Sequence, residues 1–304
     1  MKNLILTFLL FTVLISACEV YPQDDYEEYY VVEAYLVANR NLPKVRLSTT
    51  GSAFRFYSFE NTAVRNADVQ VSLLDEDGSA IEQVFNYSMV SPGIYLPDDA
   101  HDVLPERSYE LRVNVAGADE EITSRTFVPG DFSIISGIQD SIVYQSSEQL
   151  AVTISESNYP GRQNIFVFNT LAQEPEAENL TPLYFDFYDS EDDTATQSDL
   201  LFEFSNNSSG LINEANFEVN NDGSITINYP WLAIAFYGEN QIVTSTVDDN
   251  LYDFMRSAEV QLGGSTLSPG EIQNVITNVE GGIGIFGSLA SDTITTNVKR
   301  NPQF

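Results

Sequence analysis

One cysteine and one histidine stand among 45 acidic and 13 basic side chains in this chain of 304 residues. That inventory excludes internal disulfides, thiolate zinc sites, iron–sulfur clusters and the two-histidine zinc motif, all of which need more such ligands. His101 sits in Pro97-Asp98-Asp99-Ala100-His101-Asp102. A histidine can orient a serine nucleophile, but the chain has no Gly-x-Ser-x-Gly elbow, so His101 reads as a solvated loop residue. Carboxylates are the remaining catalytic currency. Glycoside cleavage needs two acids about 5–10 Å apart in a cleft, and with 45 acids such a pair stays open.

The densest acidic run is Asp186-Phe187-Tyr188-Asp189-Ser190-Glu191-Asp192-Asp193, with Asp199 beyond it. Flexible, oxygen-rich loops suit calcium, which makes Asp189, Glu191, Asp192 and Asp193 a candidate weak cation site. A solvated, self-repelling loop is the simpler reading. Asp75-Glu76-Asp77-Gly78 starts like a calcium loop but lacks the third acidic ligand and the closing Glu, and reads as a hairpin turn. No resident cofactor is expected. Gly282-x-Gly284-x-x-Gly287 satisfies the dinucleotide-binding pattern in letters only, because a β-prone segment follows and Phe304 ends the chain. Glycines there predict tight backbone approach beside a helix. Tyr229-Pro230-Trp231 and Phe236-Tyr237 could stack on a sugar or peptide, or pack as core. Trp231, Phe236 and Tyr237 are therefore the candidate partner contact.

The cysteine has a more specific reading. Met1-Lys2-Asn3 carries one positive charge, Leu4 to Ile15 is uncharged, and Ile15-Ser16-Ala17-Cys18 follows. A run of twelve uncharged residues is too short for a membrane span, which needs about 20. This arrangement is the lipobox of bacterial lipoprotein signal peptides: cleavage falls between Ala17 and Cys18, and the Cys18 thiol carries the covalent lipid. A short anchor helix, or an ordinary signal peptide with a chance cysteine, is the alternative. Residues 18–28 are a polar, acidic tether in which Gln23-Asp24-Asp25 resembles the surface-export signal of Bacteroidota lipoproteins. A formal charge of −32 disfavours nucleic acid as a partner.

The elements that must position these residues are mostly strands. From residue 29 to 130 the pattern has period two, as in Val69, Val71 and Leu73 against Asp68, Gln70 and Ser72. About seven short strands in a hundred residues predict an immunoglobulin/transthyretin-like β-sandwich. Pro129-Gly130-Asp131 marks a boundary, and residues 131–304 read as a second β-rich domain, a sandwich or a barrel-like sheet, with one short helix. Expected strands there include Leu183–Tyr188, Leu200–Ser205, Ala215–Val219 and Trp231–Tyr237. The helix is predicted where Asp248 or Asp249 can cap Leu251, Phe254, Met255 and Ala258 at i, i+3, i+4 and i+7.

Asn278-Val279-Glu280-Gly281-Gly282-Ile283-Gly284-Ile285-Phe286-Gly287 resembles the ending of a Bacteroidota lipoprotein family, domain of unknown function 4249. Further segments agree with it in order: the lipobox and tether, Val31-Val32-Glu33-Ala34-Tyr35-Leu36, Val45-Arg46-Leu47-Ser48, Ala67-Asp68-Val69-Gln70-Val71 and Asn158-Tyr159-Pro160-Gly161. The family's "N-P-F" segment is replaced by Gly263-Gly264-Ser265-Thr266-Leu267-Ser268-Pro269-Gly270, so any contact relatives make there does not transfer. The resemblance implies a lipid-anchored outer-membrane protein facing the exterior, beside a β-barrel of the TonB-dependent receptor family, and no catalytic residues. The expectation is a non-catalytic accessory subunit or ligand-capture module; a carboxylate-based glycan hydrolase is the alternative.

The anchor is testable directly. Cys18→Ala should abolish metabolic lipid labelling and release the protein from membranes or leave it unprocessed. Unchanged labelling and retention would refute lipidation at this position.

Overall fold

The computed structural model describes residues 27–52, 56–118, 120–137, 139–191, 193–262 and 275–303, and side chains throughout these except at 259–262. Ala17, Cys18, Gln23-Asp24-Asp25 and Asp192 lie outside the described residues. Among the described residues no helix is long and apolar enough to cross a membrane.

Period-two patterning produces β1 (Tyr30–Val37), β2 (Val45–Thr49), β3 (Ala67–Leu74), β4 (Ile81–Ser91), β5 (Ile94–Pro97), β6 (Ser108–Val115) and β7 (Ile122–Phe127). The second half adds β8 (Ile134–Ser136), β9 (Ser141–Val143), β10 (Ala151–Ile154), β11 (Ile165–Ala172), β12 (Asn206–Ser208), β13 (Ile212–Asn213), β14 (Ile225–Asn228), β15 (Gly238–Val247) and β16 (Ile283–Lys299). Among the described residues, four α-helices interrupt them: α1 (Phe59–Thr62), α2 (Pro182–Asp189), α3 (Thr194–Ser205) and α4 (Asp249–Leu262). The protein is mostly β. In β1 the alternation is visible residue by residue, with Val32, Ala34 and Leu36 buried and their neighbours half-exposed.

Thirteen strands form one mixed sheet in the order β12-β11-β15-β16-β1-β2-β5-β4-β3-β6-β7, with β13 also on β11 and β9 also on β16. A second sheet has the order β14-β10-β8. The end strands β12 and β7 do not pair with each other, so the barrel-like alternative is not realised. β16 is the spine. Its first part runs parallel to β1, from Val31↔Ile283 to Val37↔Leu289. Its remainder runs antiparallel to β15, from Val247↔Leu289 to Gly238↔Val298. The largest core cluster draws on both halves, joining Val71 and Tyr109 to Phe166 and Tyr229.

The glycine-rich segment opens β16, and no dinucleotide-type helix follows it. Gly284 has φ +116°, and a Cβ there would lie 2.0 Å from the Val32 carbonyl oxygen. Only glycine lets β1 and β16 approach this closely.

Three helices of eight residues or more occur in the second half, where one was expected. Leu183–Tyr188 and Leu200–Ser205 are helical rather than extended. Pro182 at the first helical position pre-sets φ for α2. Asp193 caps α3 by accepting from the Thr196 N–H at 3.1 Å. These start signals override the β propensity of Phe and Tyr, which packing does not reinforce because neither helix has a fully buried residue. Ala215–Val219 and Trp231–Tyr237 likewise begin with 3-10 turns, Glu214–Asn216 and Trp231–Ala233. The predicted helix forms as α4, capped by Asp248 through a 2.8 Å bond from the Leu251 N–H. The Asp75–Gly78 segment is a turn between β3 and β4: Gly78 has φ +73°, and Asp75 accepts from the Ser79 and Ala80 N–H groups at 2.8 and 3.1 Å.

Gly284→Ala should lower stability to urea by more than about 2 kcal/mol, since backbone strain alone costs 1–3 kcal/mol and the added clash strikes Val32. Gly117 is the control, with φ +92° and nothing within 4 Å of a built Cβ. Equal losses for Gly117→Ala and Gly284→Ala would show that strand approach is not the constraint.

Candidate functional site

Two cavities hold the residues worth weighing. The first is an open cleft of about 370 Å³ in the second half, a size ordinary for a ligand site. Its floor comes from β11 and β14, through Phe168, Ile227 and Tyr229. Ile212 and Phe217 close one side, and Asn207, Ser208 and Leu232 form the rim. The aromatic rings pack edge to face: Phe168 meets Tyr229 at 5.6 Å and 73°, and Phe217 at 5.8 Å and 88°. The Tyr229 hydroxyl is hydrogen-bonded to Thr244 at 3.1 Å, and burial pushes its pKa up to about 12. It stays a neutral phenol.

The rim is set from α2. The Tyr184 hydroxyl donates to the Leu232 carbonyl at 2.7 Å, and the Asn207 side-chain amide donates to the same carbonyl at 3.0 Å. That grip leaves the Leu232 side chain 59% exposed. Phe185, Phe187 and Phe202 on α2 and α3 are also exposed apolar residues. No acidic or basic residue lines the cleft, although the chain carries 45 acids.

The second cavity lies between the N-terminal strands and α4, lined by Ser108, Arg125, Thr126, Tyr159 and Asp248 among others. Asp248 is 1% exposed. Its carboxylate accepts from the Thr126 hydroxyl and from the Leu251 N–H. The Thr126 hydroxyl is also 2.8 Å from that of Ser288, which donates to the Phe127 carbonyl at 2.9 Å. Asn278, from the glycine-rich segment, donates to the Phe286 carbonyl at 2.8 Å, and its own carbonyl accepts from the Ser124 hydroxyl at 2.8 Å. Tyr159 and Arg162 close the outer side. The Tyr159 hydroxyl accepts from the Asp249 N–H at 3.1 Å, and the Arg162 guanidinium lies 3.9 Å from its ring centroid. Asp248, Thr126, Ser288 and Asn278 all have internal partners, so this network ties β7, β16 and α4 together rather than presenting reactive atoms.

The expected site residues separate. Phe236 is fully buried with Leu180 and Ala235, and Tyr237 is 7% exposed beneath the Arg300 guanidinium. Both pack as core and cannot supply a contact surface, which corrects that part of the expectation. Trp231 is half-buried, its ring edge-on to Tyr144 at 5.3 Å. Leu232, unmarked by any motif, is the exposed residue of that segment. Asp189 closes α2, Glu191 is exposed, and Asp193 is engaged as the α3 cap, its carboxyl held below the usual range chiefly by the Thr196 N–H. Among the described residues no three His, Cys, Asp or Glu side chains are grouped to hold a metal ion. His101 is not the solvated loop residue expected: its ring lies 4.3 Å from that of Phe85, its Nε2 is 3.0 Å from the Tyr109 hydroxyl, and burial lowers its pKa.

A family described as "Domain of unknown function (DUF4249)" matches residues 19–295. No curated protein matches the chain. Among solved structures, trypsin-activated alpha-2-macroglobulin from Escherichia coli is 10% identical over 74% of this chain, with a TM-score of 0.22. Salmonella alpha-2-macroglobulin reacted with methylamine is 8% identical over 90%, with a TM-score of 0.24. The chain spans 15% of the length of each. The three N-terminal domains of the bacteriophage RB49 outer capsid protein Hoc are 9% identical over 90% of this chain and 71% of that one, at a TM-score of 0.23.

Asp248 makes a pH prediction. Burial, the largest effect, pushes its carboxyl from 3.8 up to about 6. Between these values the unfolded chain has lost this proton while the folded chain keeps it, so its contribution to stability falls as pH rises from about 4 to 6 and is flat above. The change is about 3 kcal/mol, at 1.36 kcal/mol per pKa unit. Asp248→Asn should therefore gain about that much relative to the parent between pH 4 and pH 7 in urea titrations. Parallel profiles would remove Asp248 from the pH response.

Proposed function

The chain belongs to this family of unknown function, and we propose that it is a non-catalytic binding subunit of the outer membrane, lipid-anchored through Cys18 and facing the cell exterior. Its partner in this reading is an outer-membrane β-barrel of the TonB-dependent receptor family, beside which it acts as an accessory subunit or captures ligand. The Gln23-Asp24-Asp25 segment of the acidic tether directs surface display.

One observation carries the binding role: an uncharged apolar cleft, edged by the exposed Leu232, on a chain of formal charge −32. Exposed apolar surface is costly to keep without a use, and an uncharged patch on an acidic protein is where an apolar partner meets least desolvation penalty. In this reading the contacting surface is Leu232, with Phe202 of α3 as a second candidate, since both are exposed whereas Phe236 and Tyr237 are buried.

Point substitutions test this without dismantling the sheet, since removing residues 131–304 would strip β16 from β1. Leu232→Glu and Phe202→Glu, both at exposed positions, should keep the parent's melting temperature. We expect the parent to co-purify with a barrel in mild detergent at fixed stoichiometry and the double variant to lose it at least tenfold. A parent that extracts only as a free monomer would defeat the subunit assignment.

A further inference from the structure

The cleft lies between two strand ends of different sheets. β12 is the end strand of the large sheet, and β14 is the end strand of the small one. Antiparallel pairing alternates residues whose backbone groups face the neighbouring strand with residues whose groups face away. On β12 the phase is set by the Ser209 N–H, which donates to the Phe168 carbonyl at 2.8 Å. Ser208, one position earlier, therefore turns its N–H and C=O away from β11. On β14 the phase is set by the Tyr229 N–H, which donates to the Leu150 carbonyl at 2.8 Å. Asn228 therefore turns its N–H and C=O away from β10. Ser208 and Asn228 both line the cleft.

We propose that the cleft binds a short, uncharged, extended peptide segment, which takes hydrogen bonds from the outward backbone of Ser208 and Asn228 and seats an apolar side chain on Phe168, Ile212 and Leu232. This deepens the binding role proposed above and rests on it only in taking the cleft as a binding site. The segment is short because little of either edge is open: the Asn206 N–H is already bonded to the Glu203 carbonyl, and Val219 and Asn220 cover β14 at Ile225 and Ser224, which leaves the outward groups of Ser208 and Asn228. Neutrality follows from the lining, in which no side chain can balance a buried charge, within a protein whose overall field repels anions. A hydrocarbon would leave the outward amides without partners, which is expensive once water is displaced. A sugar would need an open ring face, but Phe168 and Tyr229 are 6% and 3% exposed and pack edge to face against one another. An extended peptide meets both requirements, because its backbone bonds on either side while alternate side chains point into the floor.

The test uses the full chain in mild detergent and a fluorescent library of acetylated, amidated hexapeptides alternating Val, Leu or Phe with Thr, Ser or Asn. We expect saturable binding, weakened at least tenfold when alternate peptide amides are N-methylated and when Glu replaces the apolar residues. Ser208→Pro and Asn228→Pro remove an outward N–H from an end strand without touching a ladder bond. Each should weaken binding at least tenfold with an unchanged melting temperature. Ile212→Glu should abolish binding by placing a charge on the apolar side of the cleft. Binding indifferent to N-methylation and to both proline variants would overturn strand addition, as would no saturable binding by any library member. Retention of maltoheptaose in place of the peptides would overturn the ligand class. If the peptides bind while no barrel co-purifies, this inference stands and the partner assignment falls; a barrel that co-purifies while the peptides fail reverses the two.

Discussion

The parallel register between β1 and β16 joins residues near the two ends of the described chain, and most of the architecture hangs from it. β2 lies on the far side of β1, and β15 on the far side of β16, so breaking this one pairing would cut the thirteen-strand sheet into two. The contact is unusually non-local, and its loop-closure entropy must be met before any of its hydrogen bonds form. Two features offset that cost. Gly284 lets the backbones approach, and the Asp248–Thr126–Ser288 network fastens β16 and the start of α4 to β7. Asn278 extends the same fastening to the strand entrance through Phe286 and Ser124.

Two buried acids are handled in opposite ways. Glu110 is 4% exposed, and burial works to raise its carboxyl; hydrogen bonds and charge from Arg112 and Arg125, at 2.5 and 2.6 Å, outweigh it and hold the group below the usual carboxylate range. Asp248 is treated in the opposite way, buried without a cation, so that it keeps its proton up to about pH 6. Hydroxyl partners and a helix cap are enough for a neutral acid but weak compensation for a buried anion. Against this background the uncharged cleft is distinctive because of its position. It occupies the far end of the large sheet, on the strands most distant from β7. Function in the proposed sense would then sit at a sheet margin, where backbone groups are still available, and the spine of the sheet would serve to hold that margin in place.

Much of the strand pattern was legible because period-two alternation is a local property: Val69, Val71 and Leu73 declare a buried face without reference to anything distant. The α4 helix was legible for the same reason, through Asp248 and the spacing of Leu251, Phe254 and Met255. The proposed lipid anchor at Cys18 rests on short-range spelling alone. Composition also excluded whole classes of metal and disulfide chemistry before any fold was known. Where local signals conflicted, as in the aromatic-rich Leu183–Tyr188, β propensity pointed one way and Pro182 the other. Helix starts won because nothing packed hard enough on that segment to hold it extended.

The cleft and the spine belong to the tertiary structure. That Gly284 faces Val32 follows from a register between segments far apart in the chain, which no local spacing encodes. That Phe236 is core while Leu232 is exposed depends on a turn at Trp231–Ala233 and on bonds from Tyr184 and Asn207. Ser208 and Asn228 carry no motif, and their importance lies in which way the backbone faces at a sheet edge, a quantity defined only once the neighbouring strand is in place. The sequence by itself determined strand periodicity and the capped helix, because those depend on residues within a few positions of one another. Only the folded chain decided which strands meet, which apolar residues remain in water and where an edge is left open, because burial and pairing are properties of distant segments brought together.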